Sequence, residues 1–143
     1  MKTRPGVTIC AVITADGKLD AAGAMPADFA LGPGDVLLAP DADESLAMCV
    51  RGLRAQATVT RVVCLGGPVL FRRLFDENLV AEICLLVRPT IDGRRGAATL
   101  SGVAGDFFPA SIRCRLLKME PRGDGCLLHY RVSRSPAKLP PPN

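Results

Sequence analysis

Apolar residues recur along this chain in short runs separated by turn-forming residues. Residues 7–13 (Val-Thr-Ile-Cys-Ala-Val-Ile) are almost continuously apolar, the pattern of a strand covered on both faces. Asp16-Gly17-Lys18 then turns the chain, and residues 21–34, rich in Ala, Gly and Pro, predict a loop with at most one short helix near Pro26. Residues 36–39 predict a short second strand. Asp41 as N-cap, with Glu44 three positions on, predicts a helix running to about Ala55. Its stripe of Leu46, Val50 and Leu53, supported by Ala47 and Cys49, has helical spacing and reads as core.

Residues 61–65 predict another buried strand, and residues 68–75 a helix with Pro68 in its permitted first turn. Alternating strands and helices imply right-handed crossovers and a largely parallel sheet. The pattern changes from Glu82 onward. Residues 83–87 predict a strand ending at Arg88-Pro89, and residues 92–96 an exposed loop. Ile112, Cys114 and Leu116 alternate with Arg113, Arg115 and Leu117, as in a half-exposed strand. Gly123-Asp124-Gly125 joins it to residues 126–132 in an antiparallel hairpin. Residues 1–132 read as a single α/β domain, and residues 133–143, with four prolines, as a flexible tail.

Composition narrows the picture. A chain of 143 residues supports one substantial core. With five Phe, one Tyr and no Trp, that core must be mainly aliphatic. No apolar run reaches the roughly 20 residues that span a bilayer, and residues 1–6 carry no signal-peptide core, so the expected location is the cytoplasm. None of the six cysteines forms a C-x-x-C pair and His129 is the only histidine. The expectation is therefore six inert thiols and no metal site. The formal charge is +4, but the basic residues are scattered without an aromatic stripe, which argues against a nucleic-acid partner and for a solvated surface or a phosphorylated small molecule.

The candidate chemistry lies at Gly66-Gly67-Pro68, between a strand and a helix. Paired glycines there remove side chains where backbone meets ligand, and the helix N-terminus offers unpaired N–H groups, a geometry that suits phosphate. The same glycines also serve as a tight turn, and pattern alone does not separate the two readings. Arg72-Arg73 and Arg94-Arg95 could each assist a phosphate or simply face solvent.

The stretch 65–70 (Leu-Gly-Gly-Pro-Val-Leu), followed by 78–89 (Asn-Leu-Val-Ala-Glu-Ile-Cys-Leu-Leu-Val-Arg-Pro), resembles the reductase domain of bacterial riboflavin biosynthesis. The first strand with its Asp16-Gly17-Lys18 turn, and the closing run 127–132, are similar to that family in the same order. The resemblance implies a dihydrofolate reductase-like α/β fold: a mixed, mainly parallel sheet flanked by helices, with an antiparallel C-terminal hairpin. It implies hydride transfer from NADPH to a nucleotide-like substrate, a pyrimidine carrying a ribose phosphate. Gly66 and Gly67, with Pro68 and Val69 opening the helix, would lie beside the cofactor's phosphates. Dihydrofolate reductases join such a glycine pair by a cis peptide. Lys18 would help hold substrate, or is a solvated turn lysine. Asp28 is either an ordinary helix-start aspartate or the acidic residue that binds a pterin or pyrimidine ring.

Two departures accompany the resemblance. Leu65 stands where riboflavin-type reductases usually carry Glu, and the chain is truncated, lacking a strand, a helix and a Thr-containing turn between the first loop and residue 36. A second function therefore stands beside the reductase: a shortened, non-catalytic binding or assembly module that has lost the cofactor pocket. Missing covering elements would expose strand edges, which implies a homodimer.

Overall fold

The computed structural model of the chain describes residues 6–20, 23–24, 26–41, 43–102 and 111–133. The apolar runs assemble into one six-stranded sheet. Its strands are β1 (Val7–Thr14), β2 (Asp35–Leu37), β3 (Arg61–Cys64), β4 (Val80–Arg88), β5 (Cys114–Arg122) and β6 (Gly125–Val132), and their order across the sheet is β2-β3-β1-β4-β6-β5. The first four are mutually parallel, whereas β6 runs antiparallel to both β4 and β5. The expected mixed, mainly parallel sheet with a closing hairpin is what forms.

Helix α1 (Leu46–Arg54) links β2 to β3, and α2 (Pro68–Asp76) links β3 to β4. Both crossovers move in the same direction along the sheet, so the right-handed rule puts both helices on one face. Leu46 and Val50 of α1 and Phe71 and Leu74 of α2 pack there on Val7, Ile9, Ala11, Val62 and Cys64. The alternate residues, Cys10, Val12, Val63 and Cys84, point to the opposite face and are covered by Phe29, just after a short 3₁₀ helix at Pro26–Asp28. The continuous apolar character of β1 follows from this two-sided burial. Between β1 and β2 the described residues hold that one 3₁₀ turn and no further strand or α-helix, consistent with the shortening read from the sequence.

Three local expectations need correction. Helix α1 begins at Leu46, capped by Ser45, whose hydroxyl accepts from the Met48 N–H at 3.4 Å. Asp41 and Glu44 do exchange bonds, with the Asp41 N–H donating to Glu44 Oε1 at 3.1 Å and the Glu44 N–H to the Asp41 carbonyl at 3.0 Å, but these close a separate turn ahead of the helix. Strand β5 runs later than expected, through Pro121, which an outermost strand tolerates. Its simple alternation also fails, because the β5–β6 register shifts between Leu116 and Lys118. Leu116 and Met119, on this outermost strand, are 50% and 64% exposed.

Of the six thiols, Cys10, Cys64 and Cys84 are buried, Cys49 and Cys126 are half-buried, and Cys114 is exposed, contrary to its apolar sequence context. No helix among the described residues is long and apolar enough to cross a membrane. Beyond Ser133 the expected tail lies outside the described residues.

Candidate functional site

The glycine turn sits at the carboxyl end of β3, where adjacent parallel strands send their connections to opposite faces of the sheet. Open α/β sheets bind ligands at such switch points. Gly67 is the N-cap of α2, at φ 98° and ψ 177°, a conformation closed to side-chain-bearing residues. A Cβ there would meet no atom within 4 Å, so the constraint is conformational and the space beside it is open. A Cβ on Gly66 would instead fall 2.7 Å from Leu70 Cδ2. Pro68 opens the helix without an N–H, leaving the Val69 and Leu70 amides as its unpaired donors. Every peptide bond among the described residues is trans, Gly66–Gly67 included. The cis bond implied by dihydrofolate reductases is therefore not reproduced, and the positive φ of Gly67 reverses the chain instead.

Two clefts meet at this turn, and Gly67 and Pro68 line both. The larger, about 590 Å³, runs from the turn along Val69 and Arg73 to Pro40 and Asp41. The smaller, about 200 Å³, is apolar over Ala11, Val12, Leu65 and Phe71, with Asp20 at its edge. Cationic Arg73 and the helix N-terminus favour an anion in the larger cleft, and Asp41 opposes it.

Lys18 lines neither cleft at the turn. Its backbone closes the β1 loop, donating from N to Thr14 Oγ1 at 3.1 Å and accepting from the Thr14 N–H at 2.8 Å. Asp16 in the same loop accepts from the Thr14 hydroxyl and from the Gly93 and Asp92 amides, which together hold its carboxyl well below the usual carboxylate range. That residue ties the 92–94 loop to the first turn. Asp28 is placed away from the glycines. It pairs with Arg88 at 3.7 Å and lines a separate cleft of about 350 Å³ with Arg88 and Arg122.

Arg88 also holds Asp20, with Nε 3.1 Å from Oδ2. Sequence reasoning missed both partners. Asp20 carries no motif, and Arg88 is marked only by its place before Pro89 at a strand end. The arginine pairs resolve differently: Arg72 bonds Asp76 at 2.9 Å and the Ser101 carbonyl, Arg94 bonds Asp92, and Arg73 alone reaches the larger cleft. No group of three or more His, Cys, Asp or Glu among the described residues could hold a metal ion.

No protein-family model matches the chain, and neither does any curated protein. Solved structures do match. RibD of Acinetobacter baumannii superposes with a TM-score of 0.67 at 12% identity, covering 90% of this chain and 58% of that one. The fold is that of the riboflavin-biosynthesis reductases. A pyrimidine reductase-like protein from Corynebacterium diphtheriae matches with a TM-score of 0.58 at 12% identity, over 92% of this chain and 93% of its own. Riboflavin biosynthesis reductase Rib7 of Saccharomyces cerevisiae matches with a TM-score of 0.57 at 10% identity, over 90% and 89%. The chain thus spans 58% of the length of RibD. At these identities the shared property is the riboflavin-reductase fold, with its parallel strands and closing hairpin.

Proposed function

We propose that this chain is a reductase of the riboflavin-biosynthesis type that takes hydride from NADPH and delivers it to a pyrimidine carrying a ribose phosphate, or to a dihydrofolate-like ring. The observation that carries this reading is the position of Gly67. It caps α2, leaves open space where a side chain would stand, and walls both clefts at once. A ligand with an anionic middle and a flat ring at one end fits that arrangement, and the donor set fits phosphate. When bound, NADPH supplies the hydride. Gly66, Gly67, Pro68 and the Val69 amide would hold the phosphates, and Arg73 would add charge. Leu65, Ala11 and Val12 would keep water from the ring, and Asp20, steadied by Arg88, would be the polar group beside it. Lys18 and Asp28 are proposed to reach the substrate from the β1 loop and the 3₁₀ turn.

Titrating the purified chain with NADPH, followed by nicotinamide fluorescence and by calorimetry, tests the reading. Saturable binding is expected. No heat and no fluorescence change at millimolar NADPH would overturn it.

A second reading has its own support: a non-catalytic module of the same fold that assembles as a homodimer. Leu65 stands in place of the family's Glu, and β5 presents Leu116 and Met119 on an outermost strand, an association-prone surface. Sedimentation that finds a dimer together with absent NADPH binding would favour it.

A further inference from the structure

The sheet face away from the helices carries a row of chemistry that the glycine site does not use. Cys10 of β1 faces Cys84 of β4, Cys84 faces His129 of β6, and His129 faces Lys118 of β5. Directly opposed residues in a sheet share a face. The imidazole is oriented, since its Nε2 lies 2.5 Å from Glu82 Oε1. Cys84 therefore has a second thiol on one side and a carboxylate-held imidazole on the other.

Geometry permits the two thiols to join. Neighbouring strands lie about 4.7–4.9 Å apart, within the roughly 4.4–6.8 Å between Cα atoms that a disulfide spans. Access is graded: Cys10 is 1% exposed and Cys84 9%, whereas the His129 and Glu82 side chains are 25% and 27% exposed. Cys84 is the less enclosed of the two thiols, and its neighbour His129 is the partly exposed member of the row.

Position separates the roles of the two sulfurs: Cys84 stands between Cys10 and His129, and Cys10 is the more deeply enclosed. Interaction with the neighbouring Cys10 thiol lowers the Cys84 thiol below the usual thiol range against the opposing effect of burial, and His129 and Arg61 add to the lowering while Glu82 resists it. The same interaction, followed by burial, raises Cys10. Arg61 acts from β3, where it is paired with Asp35. A thiol beside a base, with a second thiol within bonding reach, is the arrangement of an attacking and a resolving cysteine.

We propose that Cys84 and Cys10 are a redox-active thiol pair, in which hydrogen peroxide or another small hydroperoxide oxidises Cys84 and Cys10 resolves the product to a disulfide. The Cys84 sulfur attacks a peroxide oxygen as its proton passes to His129. An S–O bond forms, the O–O bond breaks, and the departing hydroxide takes the proton from the imidazole as water. Cys10 then attacks the sulfenic sulfur, the S–S bond forms, the S–O bond breaks, and the leaving hydroxide takes the Cys10 proton as a second water. Two thiols and one peroxide give one disulfide and two waters.

The experiment uses the full chain carrying Cys114→Ser, because Cys114 is exposed and would compete for the oxidant. The folded protein is treated with a modest excess of hydrogen peroxide, quenched with an alkylating agent at intervals, and peptide-mapped. The expected first product is a Cys10–Cys84 linked peptide within one chain, reversed by dithiothreitol. Adding Cys10→Ser should instead leave a Cys84 sulfenate that dimedone captures, and His129→Asn should slow linkage severalfold without changing the melting temperature of the reduced protein enough to unfold it. Oxidation first at Cys49, Cys64 or Cys126, or a Cys10–Cys84 link that appears only in denaturant, would overturn the proposal. Unchanged linkage rates in His129→Asn would overturn the role of the imidazole.

Discussion

The two halves of this sheet are built on opposite terms. In the parallel half, β1, β3 and β4 are covered on both faces, and Val7, Ile9, Val62, Val63 and Cys64 are essentially without exposed surface. In the hairpin half, nearly every residue of β5 is exposed, and β6, which lies between β4 and β5, is half-buried from Gly125 to Tyr130 and buried only at Val132. Stability therefore resides in the first half, because burial removes apolar area from water there and not on β5. The glycine turn and its clefts rise from the buried half, while the other carries three exposed apolar residues, Leu116, Leu117 and Met119, on a single strand.

The largest expected effect tests where the core is. Phe71, 1% exposed, is the bulkiest side chain fully enclosed between α2 and the sheet. Phe71→Ala should cost about 3–5 kcal/mol, read as a shift in the urea midpoint. A loss below about 1 kcal/mol would mean that the helix layer does not carry the core, and the contrast between the halves would fail.

Next comes the turn that links the core to the clefts. Gly67→Ala forces a residue with a Cβ to φ 98°, which should cost roughly 1–3 kcal/mol and weaken NADPH binding by more than the stability loss explains. Gly123→Ala, at φ 59° in the hairpin turn, is the control from the other half. It should cost less, about 1–2 kcal/mol, and leave binding unchanged. Equal effects on binding at both positions would separate Gly67 from any ligand role.

A smaller effect concerns the edge of the parallel half. Arg61 grips Asp35 with Nε–Oδ1 at 3.0 Å and Nη2–Oδ2 at 2.8 Å, joining β3 to the short β2. The arginine's hydrogen bonds, then the Gly32 amide, lower the Asp35 carboxyl from its usual value of 3.8. Because the folded value is the depressed one, the stabilisation is complete above that usual value and is lost as pH falls below it. Asp35→Asn should cost about 1–2 kcal/mol at neutral pH and make the acid limb of the stability curve shallower. An acid limb identical to that of the parent would show that the pair contributes nothing to it.

The contrast also explains what could be read from the sequence. Buried strands and helix stripes were legible because two-sided burial writes continuous apolar runs, as in residues 7–13, and one-sided burial writes helical spacing, as at Leu46, Val50 and Leu53. The glycine turn was legible because Gly67 needs a conformation that only glycine supplies cheaply. The Asp20–Arg88–Asp28 cluster was not, since its members meet only after β4 is laid beside β1. Nor was the Cys10–Cys84–His129 row, which depends on register. The Ser45 cap was hidden by a competing box at Asp41, and the shift at Leu116 by an alternation that looked regular on both sides of it.

The smallest expected effect is on β5 itself, and it is the sharpest test of the exposed half. Leu116→Ser and Met119→Ser change side chains already half or more in water. In an isolated chain each should alter stability by no more than about 0.5 kcal/mol. If a second copy covers β5, the same substitutions would remove buried apolar contact at each of two symmetry-related places, because a two-fold interface uses the same patch twice. Their cost would then grow with protein concentration, and sedimentation would move from dimer to monomer. A concentration-independent melting temperature for parent and variants alike would assign β5 to solvent and remove the structural argument for self-association.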